Sequence, residues 1–575
     1  MPTLPVYQVD PTVQERAEPE MVAKELFGRR DVNVESRGPQ VDMRGPELHL
    51  DFDSGRGGIW ASDPTRLHPF EPVELPNRRA LRQIGLDALR RSRLLPELSG
   101  QFRLSDAGLE LNRRCRREGD GEREDFTTTA TYSRDVELDV SDRDDIEGSR
   151  LPMFGGGGRF RATIGEAGQI VGALGTWREP YLVDEREVRD AADVMREVQK
   201  NSGERVTVTG TSLGYYCSPA FTGQDLLFPV YAVRAEVQLD DRVLPMRTTF
   251  VPATDMGSLD WRQPDVTPRA DKLQLKPLPF DRRWFAQGLQ VPPGLALDLN
   301  KLKPGQLDLQ ELVLQPFPKW DPELLRALLE ARRPRSGGAS WIGVYDWSNL
   351  NGSAGNAQGF IDELAGLGWQ TPFNWGNGDA WVSDWREDDD NWVDNVDFVF
   401  YTGHADMNTW VLSDGAGGIT DISFSQVGNT PSEMSDLWGR NNLEWVVIAA
   451  CGPHQDNIIS AGGGDVLGRW DGAFDGLHLM LGYGSVTSDN TEEGRRLVRY
   501  CRDGMSIRDA WFRTAQEIQN SPNGWDPPNG PTIWASSMSI GDAFGGTGND
   551  HLWGTGPTYR DVRNATSIGC DWVVC

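Results

Sequence analysis

The sequence has few of the residues that build covalent or metal-stabilised frameworks. It contains 6 cysteines and 6 histidines in 575 residues. The cysteines are too scattered for a disulfide framework, no Cys-x-x-Cys pair occurs, and the histidines lack zinc-site spacing. We therefore expect reduced thiols, no metal and no cofactor. Cys570 and Cys575 are predicted to be reduced thiols near a frayed end, with a bridge between them as the alternative.

Long apolar stretches and excess positive charge are missing too. No run approaches the length of a membrane-spanning helix, and the first ten residues lack the basic and apolar regions of a secretory signal. Lys and Arg number 58 against 86 Asp and Glu, a formal net charge of −28. Nucleic acids and anionic membranes bind basic patches, so this balance argues against both as partners. The default localisation is cytoplasmic.

Two short apolar runs in the C-terminal part end at residues that can do chemistry. Residues 396–401 precede Thr402-Gly403-His404, and residues 443–450 precede Cys451. Both runs are rich in β-branched and aromatic residues, which predicts buried parallel strands. Functional residues of open α/β sheets follow the carboxyl ends of strands. If the two strands are neighbours, Cys451 and His404 lie side by side as nucleophile and imidazole partner.

Each residue of this pair has an expected role. Cys451 would attack a carbonyl carbon as a thiolate, and its loop position before Gly452 allows the exposure that a reactive thiol needs. His404 would assist thiolate formation or protonate the leaving amine. Backbone N–H groups near Gly403, Ala405 and Gly452 are candidates for binding the oxyanion.

Four further residues near the strand ends are candidates for the site. His454 is a rival base, because it lies only three residues from Cys451. Asp406 and Asp456 flank the predicted site and could select a basic side chain, with solvated loop carboxylates as the alternative. Trp410 belongs to the Trp-rich region that could line a substrate groove.

The order of strand, Gly-His, strand and Ala-Ala-Cys-Gly resembles the caspase-like (clan CD) cysteine peptidases. That resemblance implies a catalytic Cys-His dyad, a polypeptide substrate and a caspase-like α/β fold with a mostly parallel sheet flanked by helices. One departure is Ala405, since those enzymes usually have glycine after the histidine. The backbone N–H at that position is retained.

A wider set of segments resembles an uncharacterised domain family, DUF6345, over about residues 340–555. The segments are 400–405, 444–453, 474–478, 509–512 and 549–554. That family implies no activity, so the peptidase hypothesis rests on the caspase-like pattern.

The length predicts two to four domains, because one core does not grow to this size. The predicted divisions are an N-terminal α+β region at 1–150, a hairpin–helix and β-rich region at 151–260, a Pro-rich linker at 261–339 and the α/β domain at 340–575. Within the last, the pattern predicts strands at 341–347, 369–375 and 532–537, and helices at 354–367, 491–502 and 506–518, lying on both faces of the sheet.

The region at 151–260 has a second resemblance. Its order of hairpin, Trp177-Arg178 and helix at 184–201 is similar to PepSY-type domains, which occur in the propeptides of some secreted proteases. The resemblance implies that the N-terminal half covers or braces the cleft. The alternative is a small α+β domain without a regulatory role.

Three classes of function remain open on the sequence. The first is a cysteine peptidase that cleaves peptide bonds with the Cys451–His404 dyad. The second is a catalytically inactive caspase-like module that recognises peptide or glycan, which Ala405 favours. The third is a Cys-dependent transferase or amidohydrolase. Labelling of Cys451 by an acyloxymethylketone would exclude the pure binding module.

Overall fold

The computed structural model describes residues 2–10, 18–259 and 335–575, less short gaps of which the longest are 29–32, 428–437 and 521–531. Over these residues the chain is a mixed α/β fold dominated by strands, with one large sheet that runs through both halves. No helix among them is long and apolar enough to cross a membrane. Most of the linker predicted at 261–339 lies outside the described residues.

The N-terminal half is built mainly from antiparallel strands. Its strands are β1 (Thr3–Asp10), β2 (Asn33–Arg37), β3 (Gln40–Gly45), β4 (Leu48–Asp53), β5 (Gly58–Ser62), β6 (Phe102–Glu118), β7 (Glu124–Asp139), β8 (Arg150–Gly155), β9 (Arg159–Ile164), β10 (Ile170–Thr176), β11 (Glu179–Glu187), β12 (Val206–Cys217), β13 (Leu226–Leu239), β14 (Arg242–Pro245) and β15 (Thr249–Pro252). Its helices are α1 (Pro19–Phe27), α2 (Arg78–Arg91) and α3 (Ala191–Asn201).

The C-terminal half, residues 335–575, is called the C-terminal domain below. Its strands are β16 (Ser336–Trp341), β17 (Gln370–Gly376), β18 (Phe398–Thr402), β19 (Thr409–Ser413), β20 (Ile419–Ser423), β21 (Trp445–Ala449), β22 (Leu479–Tyr483), β23 (Trp534–Asp542), β24 (Gly545–Gly546) and β25 (Ser567–Val574). Its helices are α4 (Ser353–Gly366), α5 (Val466–Trp470), α6 (Glu493–Arg502) and α7 (Ile507–Ile518).

Five parallel strands form the centre of the C-terminal domain, in the order β17-β16-β18-β21-β22. β23 then adds antiparallel to β22, and β25 adds antiparallel to β23. Every residue of β18, β21 and β22 is buried. A strand covered on both faces has no polar side to show, which is why these strands are continuous apolar runs in the sequence.

The two faces of this sheet are covered differently. Helices α4, α6 and α7 pack on one face, where Phe360 lies against Phe398 and Phe400. The three helices predicted from the sequence all pack on this first face, so the expectation that they divide between both faces is wrong. The other face is covered by a layer of tryptophans, two of which belong to β19 and α5. Trp385, Trp410, Trp438 and Trp470 form one edge-to-face and tilted cluster on it. Large rings fill this layer, with the short elements β19 and α5 supporting them.

β25 joins the two halves of the chain into one sheet. Its free edge pairs antiparallel with β6, from Ser567 opposite Glu118 to Trp572 opposite Arg113. Cys570 stands opposite Cys115 in this ladder, and both are free and buried. The prediction of a frayed C-terminus is therefore wrong, because the last strand is paired on both edges.

Two other strands differ from their predicted positions. The first strand of the C-terminal domain is Ser336–Trp341, earlier than the predicted 341–347. Its glycines lie so close to neighbours that a Cβ on Gly338 would come within 2.1 Å of the Phe373 ring, so small residues form this strand. β23 extends beyond the predicted 532–537 to Asp542.

Candidate active site

His404 and Cys451 lie at the same edge of the parallel sheet, on neighbouring strands. Thr402, the last residue of β18, stands opposite Ala449, the last residue of β21. His404 and Cys451 each follow two residues later in the sequence. The register of the ladder therefore brings both residues to equivalent positions past the carboxyl ends of their strands.

His404 is held in an aromatic setting and is fully buried. Its ring lies 4.8 Å from the Tyr345 ring and 5.0 Å from the Trp347 ring, between centroids. Its backbone N–H donates to the Tyr345 hydroxyl at 2.9 Å. The Nδ1 atom accepts from the Arg247 backbone N–H at 3.5 Å, while Nε2 is buried without a hydrogen-bond partner. The ring is thus oriented, with one nitrogen left for another group.

The burial of His404 determines its charge. Loss of solvent, followed by repulsion from the Arg247 guanidinium, lowers the pKa of His404 to about 3. The imidazole is therefore neutral at physiological pH in this state.

Cys451 is covered as well, with 1% of its surface exposed. Its Sγ accepts from the Thr487 N–H at 3.5 Å and lies 3.9 Å from Thr487 Oγ1. Burial raises the pKa of the Cys451 thiol, and the Arg247 charge and the Thr487 hydrogen bonds oppose this only in part. The expectation of an exposed, activated thiol is wrong for this structure, because Cys451 is buried although it lies in a loop.

The backbone groups predicted to bind an oxyanion differ in their availability. The Gly452 N–H donates to the Ser485 carbonyl at 3.2 Å and is engaged. Ala405 forms a bridge with Trp410 in which the hydrogen bonds run through the flanking residues, so the Ala405 N–H lies outside them. At Gly403, a Cβ would come within 2.2 Å of the Tyr401 hydroxyl, so a side chain does not fit.

A guanidinium from the N-terminal half lies between the two strand ends. Arg247, in the connection from β14 to β15, is fully buried. Its Nη1 donates to the Ala449 carbonyl at 3.0 Å and to Thr402 Oγ1 at 3.1 Å. Its Nη2 donates to the Ser488 carbonyl at 2.8 Å and lies 3.3 Å from each carboxylate oxygen of Glu493. The C-terminal domain supplies all of these acceptors.

Glu493 at the start of α6 is the charged partner in this pocket. It is fully buried, as is the Arg247 side chain. Its carboxylate also accepts from Tyr483 Oη at 2.7 Å, Asn356 Nδ2 at 2.9 Å and Gln519 Nε2 at 3.1 Å. Its attraction raises the pKa of Arg247 against the effect of burial. Such a carboxylate is fixed in place before any cation arrives.

The backbone around Arg247 is bound as an extended strand. The Thr248 N–H donates to the Thr487 carbonyl at 2.9 Å, and the Asp489 N–H donates to the Thr248 carbonyl at 3.1 Å. Thr248 thus forms a parallel bridge with Ser488, in the loop that follows β22. The N-terminal half covers the strand ends through this contact.

The two acidic candidates serve other contacts. Asp456 is fully buried and pairs with Arg123 at 2.6 and 2.8 Å, so it ties the two halves together. Asp406 accepts from the backbone N–H groups of Asn408 and Thr409 and lies 3.8 Å from Arg242. Neither carboxylate is a solvated loop group in this structure.

The other two candidates are core residues here. His454 is buried, with its Nδ1 2.9 Å from Ser536 Oγ and its ring edge-on to Trp470. Trp410, in β19, is buried in the tryptophan cluster and does not line an open groove.

Sequence reasoning missed Arg247, Glu493, Tyr345 and Thr487. Tyr345 had a weak signal, since it lies in an aromatic run that begins the C-terminal domain. Arg247 had no signal in the sequence, because it is one polar residue in the predicted β-rich region at 151–260. Only the fold brings it to the site.

A second cluster of chemistry-bearing side chains lies at the opposite edge of the parallel strands. Glu444 precedes β21 and His478 precedes β22, with Asp561 from a later loop beside them. Each offers one ligand atom, and these atoms lie within 4.8 Å of one another. Among the described residues, this is the group whose geometry could hold a metal ion, although the sequence predicted none.

Comparisons with known proteins agree with the family resemblance. Residues 339–574 match the family model described as "Domain of unknown function (DUF6345)". No curated protein matches the chain.

Two solved structures have low similarity to the chain. An uncharacterized protein from Eubacterium rectale ATCC 33656 is 10% identical, with a TM-score of 0.27, over 44% of this chain and 85% of its own. The C-terminal domain of YpeB from Bacillus megaterium is 9% identical, with a TM-score of 0.20, over 41% of this chain and 90% of its own. Neither similarity is strong enough to assign a shared fold.

Proposed function

We propose that the C-terminal domain is a caspase-like cysteine peptidase, with Cys451 as nucleophile and His404 as the proton donor to the leaving amine. The observation that carries the proposal is the ladder register that sets Thr402 opposite Ala449. Because His404 and Cys451 follow at equal spacing, a peptide bond laid across this edge meets both side chains. Five parallel strands with this pair after two neighbours also support the caspase-like resemblance.

The reaction would proceed in two balanced steps. The Cys451 sulfur forms a bond to the carbonyl carbon of the substrate and gives up its proton, which His404 passes to the departing amine. The carbon–nitrogen bond breaks and a thioester to Cys451 remains. Water then attacks the thioester, the carbon–sulfur bond breaks, and the thiol and a carboxylic acid are released.

The Ala405 N–H is the donor that best fits the oxyanion in this scheme. It adjoins His404 and lies outside the hydrogen bonds of the bridge to Trp410. A backbone donor fixed by that bridge stabilises developing charge without reorganisation. An alanine suffices at this position because the oxyanion would accept a hydrogen bond from the backbone N–H, and the side chain takes no part.

On this proposal, the buried dyad is the resting state of the enzyme. Burial keeps the thiol protonated against the opposing charge of Arg247, and burial together with that charge keeps the imidazole neutral. An active dyad needs a partly hydrated cleft in which the thiolate and the imidazolium support one another.

The test is hydrolysis of a quenched fluorescent peptide library by the full chain and by its cysteine variants. We expect Cys451→Ala to abolish cleavage, while Cys501→Ala, at another buried thiol, retains it. Cleavage that survives in Cys451→Ala would refute the proposed nucleophile. Acyl transfer to an added amine in preference to water would identify a transferase instead.

A further inference from the structure

We propose that the pocket filled by Arg247 is the subsite that takes an arginine side chain of the substrate, with Arg247 held there as an internal substitute. This inference rests on the proposed function, because it assigns the substrate class and the regulation of the same site.

The origin of the two partners supports this inference. The guanidinium comes from the connection between β14 and β15, outside the segment 339–574 that matches the family. All of its hydrogen-bond acceptors belong to that segment. The C-terminal domain thus supplies acceptors for both terminal nitrogens of a guanidinium that it does not itself contain, while Nε of Arg247 is left without a hydrogen-bond partner among the described residues.

The acceptors suit arginine in particular. Two carbonyls, a hydroxyl and a carboxylate surround the planar fork of Arg247 from both sides. A guanidinium presents five N–H donors in fixed directions, whereas a lysine ammonium is a single point with three. We therefore expect arginine to bind more tightly than lysine, and uncharged side chains to bind poorly.

The pocket also has the correct position relative to the dyad. Thr402 and Ala449 each lie two residues before His404 and Cys451. The Arg247 backbone N–H, at the other end of the same side chain, reaches His404 Nδ1 at 3.5 Å. A side chain in this pocket therefore places its own backbone against the catalytic histidine.

The neighbouring backbone binds as a peptide substrate would. Residues 487–489 pair with Thr248 through two main-chain hydrogen bonds. Adding an extended segment to such a loop is a common mode of peptide recognition, in which the main chain provides affinity and one side-chain pocket provides selectivity. The bound sequence around the arginine is Leu-Pro-Met-Arg-Thr-Thr.

The experiment removes the Arg247 side chain from the pocket and adds the sequence around it as a free peptide. The protein is the full chain with Arg247→Ala and Cys451→Ala, and the probe is a fluorescent Leu-Pro-Met-Arg-Thr-Thr peptide followed by anisotropy. We expect saturable binding, at least about tenfold weaker for the lysine peptide and about hundredfold weaker for the alanine peptide. Cys451→Ala alone should bind the arginine peptide at least about tenfold more weakly, because Arg247 still competes for the pocket.

A matched control uses Arg242 at the start of β14, five residues before Arg247. Arg242→Ala with Cys451→Ala removes a guanidinium that pairs with Asp406 and Asp421 instead. We expect peptide binding no tighter there than in Cys451→Ala alone. Equal binding of the arginine and alanine peptides, or none by Arg247→Ala, would overturn the inference.

A second measurement covers the case in which Arg247→Ala is unstable. n-Propylguanidine should raise the unfolding temperature of Arg247→Ala, and should not do so for Arg242→Ala or wild type. Absence of this rescue would overturn the pocket assignment.

Measuring cleavage as well as binding distinguishes failure of the arginine pocket from failure of the proposed peptidase. In Arg247→Ala with Cys451 intact, we expect cleavage after arginine at a rate at least about tenfold above wild type. Arginine-dependent binding without any cleavage would refute the peptidase and retain the pocket. Cleavage without arginine preference would refute the pocket and retain the peptidase.

A different observation carries a second inference. We propose that Glu444, His478 and Asp561 form a site for a first-row divalent cation such as Zn²⁺ or Mn²⁺. His478 Nε2 and Glu444 Oε2 are both buried and form an ion-pair contact with each other, but neither makes a hydrogen bond among the described residues. They lie 3.1 Å apart, and Asp561 Oδ1 lies 3.9 Å from the same nitrogen.

The other ring nitrogen of His478 shows the arrangement that metal-bound histidines have. Its Nδ1 lies 2.6 Å from Asp550 Oδ2, and Asp550 is held in turn by Trp445 Nε1 at 3.1 Å. A carboxylate that orients the second nitrogen is the usual support of a histidine ligand. One nitrogen with carboxylate oxygens suits first-row divalent ions, and ligand atoms about 3 Å apart fit metal–ligand bonds of ~2.0–2.2 Å.

The test is calorimetric titration of chelator-treated full chain with ZnCl₂ and with MnCl₂. We expect one equivalent to bind with micromolar or better affinity and to raise the unfolding temperature. His478→Gln and Asp561→Asn should each weaken binding by at least about tenfold, while His551→Gln, on a nearby loop, should not. No binding by wild type, or unchanged binding in Asp561→Asn, would overturn the site.

Discussion

Arg247 donates to the carbonyl of Ala449, two residues before Cys451, and lies in the same pocket as Glu493. One buried ion pair therefore links the N-terminal half to the edge of the sheet where the dyad lies. Burial keeps the thiol and the imidazole uncharged, although the Arg247 charge by itself favours the thiolate. The Arg247 side chain is also what would have to leave before a substrate enters.

The Arg247–Glu493 pair should behave as a buried charge couple. Glu493→Gln leaves the guanidinium without its counter-charge, and we expect a loss of about 3–5 kcal/mol in unfolding free energy. The double variant Arg247→Met with Glu493→Gln should lose less than the sum of the single changes, because no charge is then buried alone. Urea unfolding of the four proteins measures this, and additive losses would show that the two side chains are uncoupled.

Thiol reactivity should depend on Arg247. In wild type all six cysteines are buried, so we expect slow alkylation of Cys451 by iodoacetamide. Arg247→Ala opens the cleft, and Cys451 should then react faster than Cys115, Cys217 or Cys501. Adding His404→Ala should slow the reaction at about pH 6–7 and much less above about pH 9, where an exposed thiol ionises unaided. Peptide mapping by mass spectrometry gives the site and the rate.

The same experiment distinguishes the two histidines. His454 bonds to Ser536 and packs on Trp470. We expect His454→Gln to leave the alkylation profile of the Arg247→Ala protein unchanged. A profile that shifts with His454→Gln and stays the same with His404→Ala would assign the base to His454.

His454 should instead affect acid stability. Burial, followed by the charge of Arg469, lowers its pKa to about 3. The unfolded chain takes up a proton near pH ~6.5 and the folded chain does not, so this histidine costs stability as pH falls below that value. Between about pH 6.5 and 4.5 wild type should lose about 2 kcal/mol more than His454→Gln. Parallel stability curves would mean that His454 is protonated or solvated when folded.

The C-terminal domain should require the N-terminal half to fold. A chain that begins at residue 335 exposes the edge of β25 that normally pairs with β6, and it loses the Arg114–Asp571 ion pair at 2.7 Å. A long unpaired edge promotes association between chains. We expect aggregates on size exclusion and no cooperative melt, whereas a monomer that melts like the full chain would show that β6 is dispensable.

The sequence was informative where burial alone determines the pattern. β18 and β21 are covered on both faces, so their apolar runs predict both the strands and the residues that follow them. β16 was placed too late, because its Ser-Gly-Gly-Ala-Ser resembles a linker unless the close packing against Phe373 is known. β25 was missed since its partners lie in β6 and β23.

The site was predicted only in part for a similar reason. The neighbouring strand ends of His404 and Cys451 follow from a local pattern and a general rule of α/β sheets. The surroundings of Cys451 include the charge of Arg247 and the hydrogen bonds of Thr487, which lie outside the local sequence pattern. No periodicity or spacing reports such contacts, because they arise only when segments distant in the sequence pack together.

The most direct test of the central claim is intact-mass analysis of the Arg247→Ala protein after exposure to a peptidyl-arginine acyloxymethylketone. We expect one covalent adduct per chain, mapped to Cys451, slower to form in His404→Ala and absent from Cys451→Ala. An unmodified protein, or an adduct on another cysteine, would contradict the assignment of Cys451 as the nucleophile.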